Sequence, residues 1–138
     1  MGEKMLSQRI GQISVEMVII SSAMIGLLLV MFVVNDFLNS SWEELKQSMQ
    51  ASAAADQVAH AINLASAGGN GTSISFFNRV GPDVVRIEVF GKRSIRAYYT
   101  AGGYASAALV TNNTNFNSDI PINQIVVFQN SGGIISGG

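Results

Sequence analysis

Residues 11–34 read GQISVEMVIISSAMIGLLLVMFVV, and the later part of this stretch decides the fold. No residue from Met17 to Val34 carries a charge, whereas Glu16 stands directly before this run. As an α-helix rising about 1.5 Å per residue, the run is long enough to cross the roughly 30 Å hydrocarbon core of a bilayer. A carboxylate at the edge of such a segment is unfavourable in lipid, so we expect a specific role for Glu16.

The overall composition excludes several classes of function. The chain of 138 residues contains no cysteine, so it has neither a disulfide framework nor a thiolate that could act as nucleophile or metal ligand. Its formal net charge of −1 argues against a protein that neutralises nucleic-acid phosphates. We therefore expect no nucleic-acid partner. Because the sequence also has no recognisable nucleophile motif and no phosphate-binding loop, we expect no cofactor and no enzymatic activity.

The charges on either side of the apolar run predict an orientation in the membrane. Lys4 and Arg9 precede the run, and the charged residues that follow it are acidic until Lys46 (Asp36, Glu43 and Glu44). The positive-inside rule places the N-terminus in the cytoplasm and everything after the run outside the cell. The alternative is a conventional secretory signal cut after residues 21–23, which the glutamate within the preceding stretch disfavours.

A second helical pattern follows the apolar run. Apolar residues recur there at a spacing of three to four: Leu38, Trp42, Leu45, Met49, Ala53 and, more loosely, Ala59 and Ile62. We predict one long helix over residues 12–67 that ends at Gly68-Gly69, with a kink allowed near residues 35–41. Ser41 and Glu44 would form a capping box if the helix restarted there.

The rest of the chain has the period of β-strands. The strands expected are Ile74–Val80, Val84–Phe90, Ser94–Thr100, Tyr104–Thr111 and Ile125–Gln129, forming an antiparallel meander whose apolar face covers the residue 42–62 stripe. A three-residue loop 91–93 predicts the pairs Val89–Ile95, Ile87–Ala97 and Val85–Tyr99, with Glu88 opposite Arg96. The tail 131–138 is either a loose end or ordered against an adjacent subunit, and Ile134 and Ile135 favour the second.

The predicted fold class is therefore α+β. A leader at residues 1–11 precedes a long N-terminal helix at 12–67, of which 13–34 form the transmembrane segment, and a β-rich head occupies 68–138.

The residues Gln12, Ser14 and Glu16 form a motif with a known counterpart. With Gly11 before them, they resemble the class III signal peptides of archaeal type IV pilins, whose motif is Gln-x-Ser-x-Glu followed by three residues and a leucine. Ile20 stands at the leucine position, and Ile10 stands where a basic residue is common. The resemblance covers the N-terminal part of the chain only.

The resemblance implies processing and assembly. In that family a prepilin peptidase cuts before the glutamine, which here is the bond between Gly11 and Gln12, and the apolar helix stays on the mature subunit. Glu16 needs a compensating cation in an apolar environment, and cleavage creates one at the α-amine of Gln12, one helical turn away or on a neighbouring subunit. The implied protein is a membrane-anchored prepilin that becomes an extracellular homopolymer for surface attachment, with minor pilins as further candidate partners.

Two other interpretations remain open. Glu16 could mark only the cytoplasmic edge of a signal anchor, in which case the chain is a single-pass membrane protein with an extracellular β-rich binding head that never polymerises. An extracytoplasmic enzyme is the third class, but His60 is the only histidine and belongs to no nucleophile or metal motif.

Two weaker signals lie in the predicted outer part. N-glycosylation sequons occur at Asn39, Asn70 and Asn112. The basic residues Arg86, Lys92, Arg93 and Arg96, with Tyr98 and Tyr99 nearby, could bind DNA, an anionic surface or acidic glycans. The simpler expectation is that Arg96 pairs with Glu88 and that Tyr98 covers the stem of Arg86.

Overall fold

The computed structural model describes residues 2–116 and 119–137, with side chains described from Ser14 onward. Helix α1 spans Gly2–Ala67. The strands that follow in the described residues are β1 Ser73–Phe77, β2 Val84–Phe90, β3 Ser94–Tyr99, β4 Tyr104–Ala108, β5 Thr114–Asn115, β6 Ile125–Ser131 and β7 Ile134–Gly137. The predicted α+β layout, a long apolar N-terminal helix before a small antiparallel β head, is confirmed and is like that of a type IV pilin.

The chain divides into two compact units, Met1–Trp42 and Glu43–Gly138. The second unit, which we call the head unit, holds the C-terminal part of α1 and the described strands. The helix ends where the glycines predicted it would. The Gly68 N–H still donates to the Leu64 carbonyl at 3.0 Å, but Gly69 has a φ of 77°, a left-handed conformation with which a helix cannot continue.

The strands form two sheets, so the prediction of a single meander is wrong. One sheet has the order β2-β3-β4 and the other β1-β6-β7-β5, in which β1 pairs with β6 instead of β2. Asn78, directly after β1, provides the physical reason. It is fully buried, its N–H donates to the Gln124 carbonyl at 2.9 Å, and its side-chain amide donates to the Pro121 carbonyl at 2.6 Å. These bonds hold the end of β1 beside the segment that leads into β6.

The register of the β2–β3 hairpin is confirmed except at its open end. Val84 pairs with Tyr99, whereas Val85 was predicted there, because a β-bulge between Val84 and Arg86 leaves Val85 unpaired and exposed. Gly91 and Lys92 both have positive φ, of 60° and 62°, which matches the twist of the flanking strands. The confirmed pairs are Val89–Ile95, Ile87–Ala97 and Glu88–Arg96.

The buried face of α1 is only partly the predicted one. Trp42, Met49 and Ala53 are exposed, Trp42 to 67% and Met49 to 65%, while Ile62 is fully buried as predicted. The buried stripe follows the positions 51, 55, 58, 62 and 65, which keep a spacing of four and three. Most of its members are alanines, which let the sheets approach the helix closely. The buried helix residues are Ala51, Ala54, Ala55, Val58, Ala59, Ala61, Ile62 and Ala65.

The C-terminal tail is ordered within its own chain, which corrects both predictions made for it. Residues 134–137 form β7, antiparallel to β6, and Ile135 is fully buried in the core. Gly132 and Gly133, with φ of 62° and 84°, make the tight turn between the two strands. Of the two isoleucines, only Ile134 remains partly exposed.

Candidate assembly segment and surface sites

The first unit offers an exposed apolar helix surface. Between Val15 and Leu38, all seventeen large apolar side chains are at least half exposed. Among the described residues this is the only helix long and apolar enough to cross a membrane. At about 1.5 to 3 kcal/mol for burying each such side chain, leaving the whole surface in water would cost tens of kcal/mol. Lipid or protein must therefore cover it.

One polar residue in the middle of this segment, Ser22, is satisfied by the helix itself. The Ser22 hydroxyl lies 2.6 Å from the Val18 carbonyl and 3.0 Å from the Ile19 carbonyl. A serine bonded in this way does not need water, so Ser22 is compatible with an apolar environment. Residues 15–38 can thus be covered by apolar groups on every side without leaving the Ser22 hydroxyl unpaired.

The signal-motif residues lie at the start of this surface. Ser14 and Glu16 are exposed. Of Gly11 and Gln12 only the backbone is described, so the predicted cut and the predicted charge pair between Gln12 and Glu16 stay predictions. Among the side chains that the structure describes, no cation forms an ion pair with Glu16. In an apolar environment its carboxylate would need a cation from elsewhere.

Helix α1 continues through residues 35–41 without restarting. The hydroxyls of Ser40 and Ser41 both donate to the Phe37 carbonyl, each at 2.9 Å, as serines do inside a helix. Ser41 is therefore no N-cap, and the capping box with Glu44 does not form. The interpretation of residues 12–67 as one continuous helix is confirmed.

The exposed face of the β2-β3-β4 sheet carries a network of charged and aromatic side chains. Glu88 contacts the Arg86 guanidinium and accepts the Tyr98 hydroxyl at 2.7 Å. Burial alone would lower the pKa of Arg86, but the charges of Asp119 and Glu88 outweigh it, so its pKa is raised and it stays a cation. The Arg86 guanidinium carbon lies 4.8 Å from the Tyr98 ring centroid, which confirms the predicted contact between these two residues.

The predicted ion pair between Arg96 and Glu88 is wrong. The guanidinium carbon of Arg96 lies 3.3 Å from the ring centroid of Phe90 and 4.6 Å from that of Tyr104. The carboxylate of Glu88 is already engaged by Arg86 and Tyr98, so Arg96 stacks on rings instead. Sequence reasoning missed Phe90 and Tyr104. The short turn after β3 could have revealed Tyr104. It predicts that the next strand pairs with β3 in an antiparallel register, which places Tyr104 opposite Tyr98.

The three sequons differ in their surroundings. Asn70 lies in the exposed turn after α1, and its side-chain carbonyl accepts the Gly132 N–H at 2.7 Å. Asn112 is exposed, but the threonine of its sequon, Thr114, is buried. Asn39 is exposed in the middle of α1.

The described residues contain no cluster of metal-ligating side chains. His60 is exposed, and no group of three or more histidine, cysteine, aspartate or glutamate side chains within residues 14–116 and 119–137 could hold a metal ion. The chain matches no protein-family model, no curated protein and no solved structure.

Proposed function

We propose that this chain is the precursor of a structural subunit of an archaeal type IV-like pilus. Its N-terminal segment would anchor it in the membrane, a prepilin peptidase would remove residues 1–11, and the mature subunits would polymerise through residues 13–34. The finished filament would lie outside the cell and serve attachment, with minor pilins as further partners. Glycans at Asn39, Asn70 or Asn112 belong to this proposal.

The exposed apolar surface between Val15 and Leu38 carries the proposal. An all-round apolar helix suits lipid tails and a bundle of identical helices equally well. A subunit can therefore leave the bilayer for a filament at little free-energy cost, provided that neighbouring copies replace the lipid contacts. The same helix supplies one face of the head's core, so a folded head stays covalently attached to the segment that polymerises.

Glu16 would set the axial register of the subunits. Apolar packing between like helices changes little when one helix slides along another, whereas a carboxylate in an apolar bundle is stabilised only where a cation meets it. Cleavage before Gln12 would supply that cation as a new α-amine. The pair would form within one subunit or between neighbours, and in the second case it would favour one axial offset over the others.

N-terminal sequencing of material sheared from producing cells tests the proposal directly. The expected result is a filamentous fraction whose protein starts at Gln12. An uncut N-terminus in protein that stays in the membrane fraction would instead support the second candidate, a non-polymerising single-pass protein with a binding head. The uniformly exposed apolar segment is compatible with that alternative, which is why processing and assembly have to be measured together.

Variants at Glu16 test its role in assembly. Glu16→Gln and Glu16→Ala should enter the membrane normally but yield few or short filaments. Asp56→Asn, which removes an exposed carboxylate from the part of α1 in the head unit, is the matched control and should assemble like the unmodified chain. Filaments of normal yield and length from both Glu16 variants would refute the assembly role.

A further inference from the structure

The β2–β3 loop forms an unpaired cationic surface. Lys92 and Arg93 are exposed there, and neither makes an ion pair with any residue that the structure describes. A shallow groove of about 370 Å³ adjoins them, lined by Arg93, Leu109, Val110, Thr111 and Asn112. Val110 is 89% exposed. We call residues 91–93 with this groove the cationic turn. Its chemistry favours a partner that presents carboxylates beside apolar side chains.

Residues 43–49 of α1 have this complementary chemistry, and we call them the acidic segment. Glu43 and Glu44 are exposed. Of these two glutamates, only Glu43 has an ion-pair partner among the described residues, Lys46 at 3.8 Å. Leu45 and Met49 are exposed apolar side chains on the same stretch. The acidic segment therefore offers both the carboxylates and the apolar groups that a partner of the cationic turn needs.

The two surfaces lie at opposite ends of the head unit. The Ala101 N–H, beyond the end of β3, donates at 3.0 Å to the side chain of Gln47, which belongs to the acidic segment. At the other end, the Val110 N–H donates to the Asn63 side chain at 2.9 Å, beside the cationic turn. Residues 47 and 63 are about 24 Å apart along an α-helix. One copy therefore cannot bring its own two surfaces together.

We propose that the cationic turn of one copy docks on the acidic segment of a second copy. Charge complementarity and the exposed apolar groups on both sides identify the partner as the chain itself. Because the two surfaces differ and lie at opposite ends, the contact is heterologous and can repeat from copy to copy as an open helical assembly. The inference rests on the proposed function, since it supplies a contact between heads in the filament.

The absence of native cysteine allows a direct test by cross-linking. Filaments of the Glu44→Cys/Arg93→Cys chain, treated with a short bis-maleimide, should give a ladder of dimers, trimers and longer oligomers on a denaturing gel. Either single variant should give dimers at most. Glu44→Cys/Arg79→Cys, with its second thiol on another exposed arginine, is the matched control. A ladder no longer than that of this control, from filaments of normal yield, would overturn the inference.

Charge reversal provides a second, independent measurement. Arg93→Glu and Glu44→Lys should each lower the filament yield at physiological salt by about tenfold, since like charges then face each other. The combined swap should recover most of the yield. Arg79→Glu and Asp56→Lys, which change the net charge equally at other exposed positions, should have little effect. A swap that assembles no better than the single variants would contradict the proposed contact.

The two proposals fail in different ways. If the unmodified chain forms no filaments, the proposed function is refuted, and the docking between copies with it. If filaments form normally in every charge variant, only the docking is refuted. Loss of binding to a sulfated polysaccharide by Arg93→Glu filaments of normal yield would assign the cationic turn to an external ligand, which also refutes docking between copies.

Discussion

Arg96 lies directly opposite Glu88 in the β2–β3 register, yet its guanidinium carbon lies 3.3 Å from the centroid of the Phe90 ring. The carboxylate of Glu88 is engaged instead by Arg86 and by the Tyr98 hydroxyl. Arg86 thus combines an ion pair with a ring contact, whereas Arg96 has ring contacts and no ion pair among the described residues. A cross-strand position opposite a carboxylate is therefore not enough for Arg96 to form an ion pair, because that carboxylate already has other partners.

Replacing Arg96 should measure the strength of this stacking. Arg96→Ala removes its contacts with Phe90 and Tyr104, and we expect the free energy of unfolding to fall by about 1 to 2 kcal/mol. Arg79→Ala, at an exposed arginine without a ring contact in the described residues, should change it by less than about 0.5 kcal/mol. Chemical denaturation of the full chain in detergent, followed by circular dichroism, makes the comparison. Equal effects of the two variants would show that the stacking contributes nothing.

Asn130 joins the end of α1 to the last hairpin. It is buried, its side-chain amide donates to the Ala65 carbonyl at 3.2 Å, and its side-chain carbonyl accepts the Gly133 N–H at 3.0 Å. Asn130→Ala leaves both partners unsatisfied and should destabilise the head by about 2 to 4 kcal/mol in the same denaturation experiment. The exposed Asn115→Ala is the control. A loss below about 0.5 kcal/mol from Asn130→Ala would mean that water replaces both bonds.

The face of α1 that is buried differs from the predicted one, and this difference can be tested with two variants on that helix. Ile62 is fully buried and Met49 is 65% exposed, although both belong to the stripe predicted from the sequence. Ile62→Ala should lower the free energy of unfolding by about 2 to 5 kcal/mol, whereas Met49→Ala should change it by less than about 0.5 kcal/mol in the unassembled protein. Thermal unfolding of the two variants in detergent distinguishes the two faces. A similar loss for both would restore the original stripe as the buried one.

This correction shows where sequence reasoning reached its limit in the helix. The apolar run and the helix end at Gly68-Gly69 are local signals, and both were predicted. After residue 38 the helix has two apolar stripes. The prediction chose the stripe with the larger residues, Trp42, Leu45 and Met49, as the one that faces the core. The sheets instead pack on the alanine-rich stripe, because small side chains allow close approach over its whole length. Only the tertiary structure decides between such stripes.

In the sheets, too, pairings between neighbouring strands could be predicted from the sequence, whereas pairings between distant strands could not. The β2–β3 hairpin has a loop of three residues, so its register was predicted except at the bulge. The pairing of Ser73 with Gln129 joins residues far apart in the chain, so no short turn connects the two strands and predicts their register. At the candidate assembly segment the sequence predicted the exposed apolar surface. The proposed cut between Gly11 and Gln12 stays a prediction, because it would depend on a separate peptidase.

If the protein is glycosylated, we expect Asn70 to be the main acceptor. Its side-chain carbonyl is held by the Gly132 N–H at 2.7 Å in an exposed turn, which leaves its amide nitrogen without a donor contact among the described residues. Asn39 sits within continuous helix, and Asn112 lines the groove of the cationic turn. Glycopeptide mass spectrometry of sheared filaments should find the highest occupancy at Asn70. A glycan on most copies at Asn112 would contradict this order and would also block the proposed docking surface.

Two exposed leucines on α1 test whether the apolar segment spans the membrane. Leu28 is 63% exposed inside the segment, and Leu64 is 46% exposed in the head unit. Leu28→Arg places a charge near the centre of the bilayer, which costs about 2.5 to 3.5 kcal/mol on insertion scales. Its share in the carbonate-resistant membrane fraction should therefore fall well below that of the unmodified chain.

Leu64→Arg is the matched control, because it makes the same change of side chain on the same helix outside the bilayer. It should remain in the membrane fraction like the unmodified chain. Equal retention of both variants would mean that the lipid does not surround Leu28 and would remove membrane anchoring from the proposed function. Depletion of Leu28→Arg alone would place the part of α1 around Leu28 in the bilayer before assembly, because only there would the new charge be kept away from water.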